Sequence, residues 1–149
     1  MLKIGDNLPA FSCQDDKGNV VSQDDFKGKN IVLFFYPRAN TPGCTAQACN
    51  LYENYERLTK AGYSIFGVSA DQVKHQSSFS NKFGFPYPLL ADTEKTLINS
   101  FGVWGFKKFM GKEYEGILRA TFVLNKDSVI TNVIEKVKTK DHTSQILDL

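Results

Sequence analysis

No stretch of the sequence approaches the roughly 20 consecutive apolar residues of a membrane-spanning helix. Its opening, Met1-Leu2-Lys3-Ile4-Gly5-Asp6, has neither the apolar core of a signal peptide nor an Arg- and Ser-rich transit composition. A cytoplasmic protein with no membrane partner is the expectation. An excess of either charge is also missing: 18 Lys and Arg stand against 16 Asp and Glu, a net charge of +2, which gives no reason to invoke nucleic acid. The Lys107-Lys108 pair and the Lys136, Lys138, Lys140 series then read as solvated faces. Histidine is scarce. His75 and His142 are the only two, and with no second close cysteine pair they leave a tetrahedral zinc site without ligands. Neither metal nor cofactor is expected. Three cysteines in a chain with no export signal do not make a disulfide framework, because the cytosol keeps thiols reduced. Catalysis and plain burial remain open for them.

What is present is ordinary in amount: 149 residues, 42% apolar and 23% charged. That is one domain by size, residues 1–149, able to bury about 68 to 70% of its unfolded surface. Residues 11–14 and 20–22 read as a small hairpin turned by Asp15, Asp16, Gly18 and Asn19. A short helical turn around Phe26 follows. Ile31-Val32-Leu33-Phe34-Phe35-Tyr36 is too short for a buried helix and reads as a central parallel strand, with Tyr63 to Ser69 parallel beside it. Residues 71–83 are expected to form a helix docked by Val73, Phe79 and Phe83 and stopped at Gly84. Leu89-Leu90-Ala91 is a short strand, and Asp92 fits as N-cap of a helix carrying Leu97, Ile98 and Phe101. Val103 to Gly116 is expected to be an ordered loop. Residues 117–124 and 129–134 pair as a β-hairpin, and a final short helix is anchored by Ile146, Leu147 and Leu149. Strands alternating with helices, then a hairpin and a helix, predict an α/β fold with a central mixed sheet flanked by helices. Ligand sites in such sheets lie at the carboxyl ends of the central strands.

At that end stands Tyr36-Pro37-Arg38-Ala39-Asn40-Thr41-Pro42-Gly43-Cys44. Beyond it Ala48, Leu51, Tyr52, Tyr55 and Leu58 share one helical face, and Gly62 suits a left-handed end. Thr41 takes the N-cap position and Pro42 the first helical one. Cys44 therefore sits on the first turn, where backbone N–H groups lack partners and the helix dipole favours an anion. A thiolate, not a thiol, is the nucleophile, and this is where one is favoured. Arg119 is the candidate cation. It interrupts an otherwise apolar strand, where a guanidinium either meets a polar partner or points to solvent from an edge.

Cys49 adds a mechanical constraint. Five residues on an ideal helix rise about 7.5 Å and place the two Cα atoms roughly 8.6 Å apart on nearly opposite faces. A disulfide needs less than about 7 Å. Cys44 and Cys49 can bond only if the first turns unwind; otherwise Cys49 is a small buried hydrophobe. Cys13, in a strand, carries no assigned role.

The order P-x-x-x-T-x-x-C-T with a cysteine five residues on resembles the active-site motif of the peroxiredoxins, in the manner of the bacterioferritin comigratory protein or peroxiredoxin Q subfamily. The resemblance extends through Gly5-Asp6-x-x-Pro9-x-Phe11, Phe26-Lys27-Gly28-Lys29, Phe101-Gly102-Val103-Trp104-Gly105 and Arg119-Ala120-Thr121-Phe122. It implies a thioredoxin-like fold and reduction of hydrogen peroxide and organic hydroperoxides. Cys44 would be the peroxidatic cysteine, Cys49 the resolving one, and Pro37, Thr41 and Arg119 the rest of the pocket. A sulfenic acid on Cys44 would condense with Cys49, and the family resemblance makes thioredoxin the dithiol that restores both. Gln47 and Ala39 depart from the acidic residues frequent in the family. An uncharged Gln47 cannot hold an arginine as a carboxylate would. With both thiols on one helix no partner subunit is required, so a monomer is expected.

Three rival readings are weighed on the residues. A thioredoxin-type exchange enzyme needs C-x-x-C at the helix start, and position 47 is Gln. A cysteine hydrolase needs a general-base histidine near Cys44. A redox-sensing or chaperone-like module would use the same disulfide only to change conformation.

Overall fold

The computed structural model describes the backbone of residues 1–149 and every side chain but that of Phe109. The chain opens with β1 (Ser12–Asp15) and β2 (Val20–Ser22), then a 3-10 turn at Gln23–Phe26 that buries Phe26. Next come β3 (Asn30–Phe35), α1 (Pro42–Glu53), α2 (Tyr55–Lys60), β4 (Tyr63–Ser69), α3 (Val73–Phe83), β5 (Leu89–Ala91) and α4 (Thr96–Phe101). The chain closes with β6 (Trp104–Phe109), β7 (Lys112–Ile117), β8 (Ala120–Leu124), β9 (Ile130–Ile134) and α5 (His142–Leu147). One seven-stranded sheet runs β2-β1-β5-β4-β3-β8-β9, while β6 and β7 pair apart from it. The adjacent strands β3, β4 and β5 are parallel, and the remaining pairs are antiparallel. This is the mixed sheet the sequence predicts.

β3 is the axis because both of its faces are covered. Ile31, Val32, Leu33, Phe34 and Phe35 are all fully buried, each contributing about 1.5–3 kcal/mol of burial. Alternation divides them. Ile31, Leu33 and Phe35 meet Phe66, Val68 and the α4 residues Leu97, Ile98 and Phe101. Val32, Phe34 and Tyr36 meet Ala48, Leu51 and Leu58 of α1 and α2, Phe79 of α3 and Ile146 of α5. Packing on that second face is close enough to demand a glycine in β4. A Cβ on Gly67 would stand 2.8 Å from both Phe34 Cζ and Leu89 Cδ2.

Five expectations are corrected. Val103 to Gly116 is not a loop but most of the β6/β7 hairpin, paired from Trp104↔Ile117 to Phe109↔Lys112. Its two-residue turn, Met110-Gly111, has φ of 52° and 77°, the geometry that matches strand twist, yet methionine there is no turn signal. The apolar run 117–124 is accordingly two strands in two sheets, with Leu118 and Arg119 as the link between them. The helix expected from Pro42 onward breaks at Asn54, whose amide Nδ2 donates to Asn50 O at 2.9 Å, and Tyr52 ends 42% exposed. Lys95, at φ 57°, takes the N-cap position of α4; the buried Asp92 carboxylate instead reaches the Ile98 N–H at 2.8 Å. In the tail, Ile146 is buried as expected, but Leu149 is 53% exposed and anchors nothing.

Candidate active site

The site grows from the carboxyl end of β3. Tyr36 extends the strand by one bond, its N–H donating to Val68 O at 3.0 Å, and its buried hydroxyl donates to Gln76 Oε1. Gln76 Nε2 is held by Ser69 Oγ at 2.9 Å and Leu90 O at 2.8 Å. A rigid polar floor thus lies under the loop that starts at Pro37. In that loop the Ala39 N–H donates to Asp71 Oδ2 at 2.8 Å, so a carboxylate from the β4–α3 connection serves a position where the loop has none. Asn40 turns the chain at φ 65°. Thr41 is the N-cap, in extended conformation, and Pro42 follows at the first helical position. The Thr41 hydroxyl does not cap the helix; it donates to Arg38 O at 2.8 Å. A groove of about 510 Å³ passes the loop, lined by Pro37, Arg38, Asp71, Trp104, Lys107 and Ile117 among others.

Cys44 occupies the third position of α1 and is 1% exposed. Arg119, free of any strand in its two-residue link, turns its guanidinium onto the helix. Nη2 donates to Cys44 Sγ at 3.3 Å and Nη1 donates to Gln47 Oε1 at 2.6 Å. The fork therefore joins one thiol and one amide a turn apart. Gly43 allows this approach, since a Cβ there would lie 3.2 Å from Nη2. Here the sequence reading is amended: Gln47 lacks a charge, but its carbonyl oxygen is an acceptor and does hold Arg119.

Lys107 is the residue sequence reasoning passed over. It is half-buried, not solvated, and its ammonium donates to Ile117 O at 2.9 Å, on the segment that carries Arg119. Burial, and secondarily the nearby Arg119 charge, lower its pKa. Its neighbour Lys108 is exposed and pairs with Glu113 at 3.4 Å. The alternation of Lys107 and Lys108 across a strand would have separated them, had the hairpin been foreseen.

Of the other cysteines, Cys49 lies on α1 and is half-buried, with its thiol pushed up by burial and then by Glu53. Cys13 is on β1, and burial, Asp92 and Asp15 push its thiol up to about 12. All three are free thiols here.

Neither histidine touches Cys44. His142 is buried, its Nε2 2.8 Å from Thr121 Oγ1 and its Nδ1 2.8 Å from Gln145 Oε1. Gln145 also accepts the Lys138 N–H at that oxygen and donates to Lys136 O through its nitrogen, which fixes the amide's orientation. His142 is then the neutral Nδ1–H tautomer. Burial, foremost, lowers its pKa from 6.5. A histidine harder to protonate when folded withholds a proton that the unfolded chain binds, so stability falls as pH drops below about 6.5. Thermal unfolding should therefore show a smaller loss of Tm between pH 7 and pH 5.5 in His142→Gln than in the wild type; equal losses would remove His142 from this role.

With no histidine on the sulfur and no second cysteine at position 47, hydrolysis and thioredoxin-type exchange both lack their partner. The fold and the arginine-bound thiol on a helix's first turn are suited to a thiolate nucleophile. Similarity to known proteins narrows this further. The AhpC/TSA family model matches residues 4–133. The Escherichia coli protein Peroxiredoxin Bcp is 42% identical over 147 residues, 99% of this chain and 94% of that one. Among solved structures, a mutant of Xylella fastidiosa PrxQ superposes with a TM-score of 0.92 at 28% identity, covering 99% of this chain and 94% of that one. The Xanthomonas campestris bacterioferritin comigratory protein, described for its alkyl peroxide reduction, gives 0.86 at 33% identity over 93% and 88%. The chain belongs to the AhpC/TSA family, as a peroxiredoxin with a thioredoxin-like fold, and is a thiol peroxidase whose cycle takes a hydroperoxide and a thiol reductant. These relatives do not favour the redox-sensing or chaperone-like alternative. Among the described residues no helix is long and apolar enough to cross a membrane.

Proposed function

We propose that Cys44 is the peroxidatic cysteine and Cys49 the resolving one in a cycle that reduces hydrogen peroxide and organic hydroperoxides. The observation that carries this reading is the Arg119 Nη2 contact with Cys44 Sγ at 3.3 Å on the first turn of α1. The thiolate attacks one peroxide oxygen in line; the O–O bond breaks and the other oxygen leaves as an alkoxide or hydroxide, which takes up a proton. Donors fixed around that developing charge lower the barrier. Arg119, the N–H groups of Gly43 and Cys44 and the Thr41 hydroxyl fill that role, the last after turning from Arg38 O. Pro37 shapes the loop and limits water. Cys44 is left as a sulfenic acid. Cys49 then displaces its hydroxyl, which leaves as water with the Cys49 proton, and a Cys44–Cys49 disulfide forms. A dithiol of the thioredoxin kind reduces that disulfide by exchange. The unit acts as a single domain, residues 1–149, in the cytoplasm, and as a monomer, since both thiols lie on one helix and no second subunit is needed.

Cys49→Ser tests the resolving role. One equivalent of peroxide should be consumed in a burst, the sulfenic acid on Cys44 should persist and be trapped by dimedone, and turnover with thioredoxin should fall at least about tenfold. Mass spectrometry of oxidised wild type should show Cys44 joined to Cys49; a Cys44–Cys13 bond would reassign resolution.

A further inference from the structure

We infer that Gln47 is a positioning residue that latches the first two turns of α1 to Arg119 while keeping the latch weak enough for the helix to open. This rests on the reading of Cys44 and Cys49 as disulfide partners, which sit too far apart on an intact helix to bond.

The two halves of α1 are held unequally. On either side of Cys49 the helix is pinned. The Tyr87 hydroxyl donates to Ala48 O at 2.7 Å. Asn50 Nδ2 donates to Lys140 O at 3.0 Å, while the Thr143 N–H and hydroxyl donate to Asn50 Oδ1 at 2.8 Å and Asn50 O at 3.2 Å. Among the described residues, the first two turns have no such hydrogen-bonded tether to α5. Pro42 brings no N–H, Gly43 has the largest unfolded freedom, and the side-chain bonds that hold this part are the two from Arg119, to Gln47 and to Cys44. Opening therefore belongs to residues 42–47, and Cys44 travels to Cys49.

Gln47 decides how readily that happens. It is fully buried, and its Oε1 faces Arg119 at 2.6 Å. A guanidinium only donates, so the amide cannot be turned the other way. Its Nε2 is thereby left buried with no hydrogen-bond partner among the described residues. An unmet buried donor raises the free energy of the closed helix relative to an open one in which water reaches it. One end of the side chain holds the helix shut and the other works against it. A carboxylate here would accept from both guanidinium nitrogens and leave no donor unmet, locking α1 closed. An apolar residue would remove both effects and the hold on Arg119.

The experiment compares Gln47→Glu, Gln47→Leu and wild type after one equivalent of peroxide. Gln47→Glu should form the Cys44–Cys49 disulfide at least about tenfold more slowly. In a second arm with excess peroxide and a dithiol reductant, its longer-lived sulfenic acid should react with a second peroxide, giving the sulfinic acid and an alcohol or water, in a larger share of turnovers. Gln47→Leu should form the disulfide at or above the wild-type rate. A merely structural role would impair both. Hydrogen exchange of the reduced proteins reads the latch without the disulfide: amides of 43–47 should exchange before those of 48–53, and more slowly in Gln47→Glu. Equal disulfide rates in Gln47→Glu and wild type, or unchanged exchange in 43–47, overturn the inference and leave the peroxidase reading intact. A wild type that forms no Cys44–Cys49 disulfide overturns the resolving assignment instead.

Discussion

Cys44→Ser should abolish peroxide consumption, with a residual rate at least about 10³-fold below wild type. Serine keeps the volume and the burial of a residue 1% exposed, so the fold and the Arg119 contact survive while the chemistry does not. A hydroxyl has no accessible anion near neutral pH and forms no sulfenic acid. Neither remaining cysteine replaces it. Cys49 lies half-buried with its thiol pushed up by burial and Glu53, and Cys13 is pushed up to about 12 on a different strand. Burial thus favours the protonated thiol at both positions. The measurement is rapid-mixing peroxide loss with circular dichroism as the check on folding. Turnover undiminished in a folded Cys44→Ser would sink the assignment of the nucleophile.

Cys44 stands out in the sequence because local rules and the fold agree at this point. Residues 31–36 are apolar, β-branched and aromatic without a gap, as a strand covered on both faces requires, and the N-cap and Pro42 mark the next element to the residue. The sequence pattern also singled out Arg119, though for a reason the structure revises. Arg119 stands out in an apolar run because the run is two strands and it lies between them. Freed from alternation, its side chain can turn to α1. What stayed hidden depends on contacts distant in sequence. Asp71 reaches Ala39 from 32 residues away and Arg119 reaches Gln47 from 72. No periodicity reports either. The β6/β7 hairpin was missed because lysines, aromatics and glycines occupy both of its faces, and an exposed pair of strands leaves no apolar alternation to read. With the hairpin went Lys107, whose place on the Ile117 carbonyl exists only once the strands pair. The break at Asn54 carries neither proline nor glycine; an asparagine side chain capping its own helix makes it.

Arg119→Met should lower the second-order rate constant for peroxide by about 10² to 10³, the scale of losing one fixed donor at a developing anion. The loss is expected in the oxidation step, not in resolution, because Nη2 lies on Cys44 Sγ, the proposed nucleophile. Arg119→Lys discriminates charge from geometry. An ammonium keeps the cation, but as a compact point charge it lacks the planar fork that meets Cys44 Sγ and Gln47 Oε1 together. Lysine should therefore recover only part of the lost rate, and loss of the Gln47 bond should loosen α1 and speed disulfide formation once the sulfenic acid exists. Stopped-flow mixing with peroxide gives the first step and quenched mass spectrometry the second. The two variants thus move the two steps in opposite directions, slower attack and faster resolution, because a single guanidinium serves both the chemistry and the closed helix. If Arg119→Met oxidises at the wild-type rate, the guanidinium is a structural strut and the charge that stabilises the leaving oxygen comes from the helix N-terminus alone.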